Sequence, residues 1–208
     1  MERCPVVRKL RVLVPLVALA GISLMSRPAV AQGQNNLRNT SLLGIGYVAN
    51  IPNAFLGFSA IGMTPKLFGG AGLYVDFKTS TTNTRNDPFY YADVTISDAE
   101  LQYGDMLYDE KSEWLSFNAA LVYAVTYDFA IYGGAGYSRE RHYREYFDDA
   151  QDRGDFGFYW IPDPEASGNR VNVLGGIMFR LAKLVMFQLG GETEPAGATV
   201  GVVIAFPL

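Results

Sequence analysis

The chain has 208 residues, of which 49% are hydrophobic and 18% charged, with a formal net charge of −4. That length suits one domain, and the acidic balance argues against nucleic acid as a partner. One cysteine (Cys4) excludes an intrachain disulfide, and one histidine (His142) leaves little room for histidine-based chemistry.

The first segment is a leader. Arg3, Arg8, Lys9 and Arg11 are positive, Val12 to Met25 is uncharged and mostly apolar, and Ala29-Val30-Ala31 offers small residues before Gln32. This is the layout of a secretory signal peptide, so residues 1–31 are expected to be cleaved and 32–208 to form a single domain. An apolar run of 14 residues is short for an anchor across about 30 Å of hydrocarbon. Cys4 precedes that run and is not placed for lipid attachment. Without the leader, Lys+Arg falls from 17 to 12 and Asp+Glu from 21 to 20, a net charge of about −8. This argues against an anionic membrane face as well as nucleic acid. The remaining chain has no cysteine and hence no thiol chemistry.

No apolar run beyond the leader reaches the ~18 residues of a membrane-spanning helix. Eight strand-like segments follow instead, at Ser41–Ala49, Phe55–Met63, Phe68–Lys78, Glu113–Thr126, Phe129–Arg141, Arg170–Leu181, Leu184–Glu192 and Ala198–Phe206. Several alternate with period two. Leu115, Phe117, Ala119, Leu121 and Tyr123 oppose Ser116, Asn118, Ala120 and Val122, while Val171, Val173 and Ile177 oppose Asn172, Leu174 and Met178. Tight turns are expected at Pro65-Lys66, Tyr127-Asp128 and Ala182-Lys183, with the long polar connections, 80–112 and 142–168, at the other end. Within 80–112, Phe89–Ile96 and Ala99–Tyr108 also look like strands. Their acidic residues suggest a hairpin standing outside the bilayer; were they to cross it, the count would be ten.

Alternation of this kind would also serve a soluble antiparallel barrel. Three features favour a membrane. Aromatics lie near strand ends (Tyr47, Phe77, Tyr127, Phe129, Tyr137, Phe179, Phe206), as in interfacial girdles. Glycine and serine crowd the opposite face (Gly44, Gly46, Gly57, Ser59, Gly134, Gly136, Gly176, Gly201), suiting a narrow barrel interior. Long and short connections segregate to opposite ends. The expected fold is all-β, an eight-stranded antiparallel up-and-down transmembrane barrel.

The run Tyr123-Ala-Val-Thr-Tyr-Asp-Phe-Ala-Ile-Tyr-Gly-Gly-Ala-Gly-Tyr137 resembles the strand-turn-strand of small OmpA/OmpX-type outer-membrane barrels. The stretch from Gly175-Gly-Ile-Met-Phe-Arg-Leu181 to Val200-Gly-Val-Val-Ile-Ala-Phe206 is similar to their closing strands. The resemblance spans about Ser41 to Leu208. It implies residence in the bacterial outer membrane, contact with its lipid, delivery by a barrel-assembly machinery, and roles from structural anchoring to adhesion. Such barrels often end on an aromatic, whereas here Phe206 is followed by Pro207-Leu208.

Chemistry is sparse. His142 sits at the root of a long loop with Ser138 and Glu145 near in sequence, which is a weak basis for a catalytic group, and no catalytic residue is assigned. Asp148, Asp149, Asp152 and Asp155 lack the spacing and glycine of a calcium loop and read as a solvated charge run. Arg153-Gly154-Asp155 is a tripeptide short enough to recur by chance. No cofactor or metal is expected. Period two directs Tyr74, Asp76, Lys78, Asn118, Arg180, Gln188 and Glu192 to the lumen, with Asp76, Lys78 and Glu192 near the outer rim and Arg180 near the other. Buried charges are costly unless paired, so this cluster is expected to be a structural plug. The expected function is a monomeric, non-enzymatic barrel displaying 80–112 and 142–168 to an extracellular ligand. The alternatives are a small porin-like channel or apolar-ligand carrier and, more remotely, a lipid-modifying enzyme.

Overall fold

In the computed structural model the described residues are 37, 40–51, 53, 55–66, 70–126, 128–153 and 156–208. The expected leader (1–31) lies outside them, as do Tyr127 of the second expected turn and Gly154-Asp155 of the tripeptide.

Eight strands close into one antiparallel barrel: β1 (Leu42–Ile51), β2 (Phe55–Thr64), β3 (Ala71–Ser80), β4 (Met106–Ala124), β5 (Phe129–Phe147), β6 (Phe158–Ala182), β7 (Val185–Thr193) and β8 (Ala196–Pro207). Each pairs with its sequence neighbour, and β8 pairs with β1 from Leu42↔Pro207 to Ile51↔Ala198. Closure leaves no edge within the barrel, so every wall strand has its backbone groups paired on both sides. Short turns join strands at one end, including Lys183-Leu184 one residue past the expected position. The longer connections lie at the other, here the loop end.

Period two sorts the wall. Leu43, Ile45, Tyr47, Leu56, Phe58, Leu73, Phe77, Phe117, Leu121, Val173, Val202 and Ile204 all face outward and are exposed. Tyr47, Phe58, Phe77, Phe117 and Tyr137 form one continuous outward aromatic row, each the register partner of the next across five strands. Inside, glycines let the walls approach. A Cβ at Gly176 or Gly190 would collide with neighbouring backbone and with the Tyr132 hydroxyl, which these glycines accommodate.

The lumen is stratified. Towards the turn end it is apolar: Leu37, Leu42, Ile61, Met63, Val122, Ala124, Met178, Met186, Val203 and Ala205 form one buried cluster capped by Tyr74 and Tyr132. Towards the loop end it is polar, with Asn50, Asp76, Lys78, Ser116, Asn118, Asn172, Gln188, Glu192 and Thr199 all buried.

Two expectations about the loops need correction. Phe89–Ile96 and Ala99–Tyr108 do not form a hairpin; this region holds a 3-10 turn (Thr84–Asn86), a π-helix (Asp98–Tyr103) and only the start of β4. Most of 142–168 is strand rather than loop, because β5 and β6 stay paired beyond the barrel up to Phe147↔Phe158. β4 follows them to Met106↔Phe147. Three strands therefore continue past the other five as a projecting sheet. One detour interrupts β6: its register to β5 jumps from Glu140↔Gly168 to His142↔Asp163, leaving 164–167 unpaired.

Candidate functional site

Two sites hold the polar side chains. In the lumen, Lys78 lies 2.6 Å from Asp76 and 3.1 Å from Glu192, with all three side chains sealed from solvent. Amides complete the cluster. Asn50 and Asn172 donate to Glu192 at 2.6 and 2.8 Å, Asn118 donates to Asp76 at 2.8 Å, and Asn172 also donates to Asn118 at 2.9 Å. The Asn172 carbonyl then receives the backbone N–H of Thr193 and of Glu194, at 3.1 and 2.9 Å. This pins the β7–β8 turn to the network. Below it Gln188 donates to both Tyr74 and Tyr132, at 2.9 and 3.0 Å. These rings, 5.3 Å apart, close the lumen above the apolar layer.

Six of the seven residues assigned to the lumen from sequence thus lie within one connected region. Arg180 is apart at the turn end, where its backbone N–H donates to Asp128. Asn50, Tyr132, Asn172 and Thr199 were not singled out. They are short or aromatic polar side chains on lumen-facing positions, and the available signal was that parity alone.

The second site is the projecting sheet and the 81–105 loop that wraps it. Glu113 on β4 accepts from the backbone N–H and hydroxyl of Thr84, at 2.5 and 2.7 Å, holding the loop to one face. On that face Tyr90 meets Tyr143 edge-on at 5.9 Å. At the β6 edge the loop adds a short parallel bridge, with Tyr91 N–H donating to Trp160 and Trp160 N–H to Phe89, both at 2.9 Å. The chain then crosses to the other face. There Ala99, Tyr146, Tyr159 and Ile161 form a small core, with Phe89, Tyr91, Val94 and Ile96 packed against it. The run read as a strand therefore covers a sheet instead of building one.

Polar contacts bind the same face. Tyr146 donates to Glu100 at 2.6 Å and Tyr159 to Asp105 at 2.5 Å. Burial, reinforced by the Glu100 contact, pushes the Tyr146 hydroxyl up to about 12; burial and Asp105 push Tyr159 up as well. Arg144 sets its Nε 2.9 Å from the buried Asp163 and 3.5 Å from Glu110. Glu145 lies on the opposite face, its carboxyl raised first by burial and then by Asp109 and Asp87.

His142 does not meet Ser138 or Glu145. The Ser138 hydroxyl donates to the Glu194 carbonyl at 2.6 Å, and Glu145 projects from the other side of β5. Instead His142 Nδ1 lies 2.9 Å from Ser112 Oγ, a hydroxyl that already donates to Glu140 at 2.7 Å. Asp148 is not a solvated member of a charge run: it is buried and accepts the N–H groups of Ala150, Asp152 and Arg153, tying down the β5–β6 connection. Among the described residues no group of three or more His, Cys, Asp or Glu is arranged to hold a metal.

No protein-family model and no curated protein matches the chain. Solved structures that resemble it include Ail, the attachment invasion locus protein of Yersinia pestis, at 12% identity and a TM-score of 0.42, covering 82% of this chain and 97% of that one. A major outer membrane protein from Thermus thermophilus is 12% identical at a TM-score of 0.40, over 81% of this chain and 100% of its own. Neisserial surface protein A is 12% identical at a TM-score of 0.33, over 81% of this chain and 95% of its own.

Proposed function

We propose that the chain is an integral barrel of the bacterial outer membrane. In this reading the barrel is a closed anchor, and the projecting sheet with its wrapping loop is a surface for interaction outside the cell. The observation that carries it is the wall itself. Large apolar side chains, among them Ile45, Tyr47, Phe58, Leu121 and Val171, face outward around a closed barrel whose interior is already filled. A water-soluble protein rarely exposes a contiguous apolar patch beyond a few hundred Å². In hydrocarbon the same surface is the favourable one, and closure satisfies the backbone where no water is present. The segregation of turns and loops supports the orientation, with short turns in the periplasm and the sheet outside.

The filled lumen favours an anchor over a channel. A conducting path would have to pass the Lys78 cluster, the Tyr74–Gln188–Tyr132 layer and the apolar layer below. Planar-bilayer recordings should show no steady conductance, and a stable open state would favour the channel reading. For enzymatic activity, His142 has a serine neighbour whose proton is committed to Glu140; His142→Ala should leave lipid composition unchanged.

The membrane assignment is tested by extraction and by gel mobility. The protein should stay with membranes in alkaline carbonate and migrate differently in detergent gels before and after boiling, as closed barrels resist detergent unfolding. Release by carbonate with no mobility shift would overturn it.

A further inference from the structure

A third cluster lies on the outer side of the barrel's loop end, where the start of the wrapping loop meets the wall. By the two-residue period Tyr137, Arg139 and Arg141 share the outward face of β5, so two arginines directly follow the last aromatic of the outward row. Arg85, from the 3-10 turn of the wrapping loop, joins them. The three line a cleft of about 270 Å³ together with Tyr143 and the β6 detour at Pro164.

None of the three guanidiniums has a carboxylate within ion-pair distance among the described residues. Glu113, the register partner of Arg141, is engaged with Thr84, and Glu140 with Ser112 and Arg170. Arg141 Nε is buried with no hydrogen-bond partner, and the buried Tyr143 hydroxyl interacts with Arg85. Three cations thus line one cleft without an ion pair, and the buried Arg141 Nε is a donor that an acceptor entering the cleft would complete. Guanidinium forks match the oxygens of a phosphate.

We propose that Arg85, Arg139 and Arg141 bind the phosphate of an outer-leaflet lipid headgroup. This rests on the membrane reading above and deepens it. The lipid source is favoured over a soluble phosphate by position. The arginines continue the outward apolar row, so a lipid held by its phosphate can lay its acyl chains along Tyr137, Leu115 and Phe117, which are exposed on the same face. A net charge of about −8 for the chain without its leader hides this local positive patch.

The test uses the full chain, without its leader, in phosphatidylcholine vesicles carrying traces of spin-labelled lipid. Spin-labelled phosphatidic acid should be held at the protein surface in preference to diacylglycerol with the same label, and high salt should weaken the preference. Arg139→Gln with Arg141→Gln should lower the association by about tenfold, since two charge-assisted contacts are lost. Arg139→Gln alone alters an exposed side chain and should give an intermediate loss; unheated gel mobility reports that each variant is folded. Two results overturn the proposal: equal association of the two labels with wild-type protein, or folded variants that hold phosphatidic acid as wild type does. Inorganic phosphate binding to the detergent-solubilised protein, without a lipid preference in vesicles, would assign the cleft to a soluble ligand and overturn the lipid source. Failure to insert into vesicles at all would instead overturn the membrane reading on which the proposal rests.

Discussion

Lys78 is the side chain on which the polar half of the lumen depends. It is fully buried between Asp76 and Glu192, so its removal leaves two carboxylates in a region sealed from water. Breaking a buried pair in this way costs about 3–5 kcal/mol, far more than the intact pair contributes. Lys78→Met should therefore be severely destabilising. Adding Glu192→Gln removes one stranded charge while keeping an acceptor for one of the two amides, Asn50 or Asn172, that donate to its separate oxygens, and should recover part of the loss. Denaturant titration of both variants in vesicles gives the coupling. If Lys78→Met were neutral, the lumen would be hydrated and the plug reading wrong. Parity and strand position group Asp76, Lys78 and Glu192 near one rim, but do not fix which of them pair or with which amides. Their meeting depends on how β3 and β7 are staggered around a closed barrel, and on Asn50 and Asn172 arriving from β1 and β6. No single strand encodes that stagger.

At the scale of elements, the barrel strands were legible and the projecting sheet was not. Between β1 and β3 the wall has one apolar and one small or polar face, so period two is visible to the eye. Beyond Arg141 the sequence reads His-Tyr-Arg-Glu-Tyr, which looks like solvated loop. Its charges are instead placed for cross-strand partners, as with Arg144 beside Asp163 and Glu110. Its tyrosines are buried by a loop far away in sequence. The sheet's stability should consequently respond to pH through Glu145. The carboxyl of Glu145 is raised by burial and by Asp109 and Asp87, so the folded sheet holds that proton more tightly than the unfolded chain does. That contribution is present below the unfolded value and is lost as pH rises through the folded one. Lowering the pH towards the ordinary glutamate range should slow protease nicking of the 81–105 loop, and Glu145→Gln should show the slower rate already at neutral pH. A Glu145→Gln variant nicked as fast as wild type at neutral pH, with the same acid response, would remove Glu145 from this role.

At the scale of the whole molecule, the inside and outside of the wall are the two halves of one claim. Because successive side chains alternate, a register slip of one residue would exchange the faces of a strand completely. Leu121 is the sharpest probe of which face meets lipid. It lies on β4 between Leu73 and Gly133 in register, and is 74% exposed on the outside of the barrel. Next to it in sequence, Ala120 and Val122 are buried in the apolar layer of the lumen. If hydrocarbon surrounds the wall, Leu121→Arg places a charge where neither water nor a carboxylate can reach it, costing about 2–4 kcal/mol near the midplane. If water surrounds it, the same change replaces an exposed leucine on a protein surface and should stay within about 0.5 kcal/mol. Folding titrations in lipid vesicles distinguish these outcomes directly. A matching Gly133→Ala variant serves as control, since an added Cβ there meets almost nothing within contact distance. A large penalty at Leu121 beside a negligible one at Gly133 is the expected result. Equal and small effects at both would mean that the wall faces water, and the barrel would have to be read as soluble.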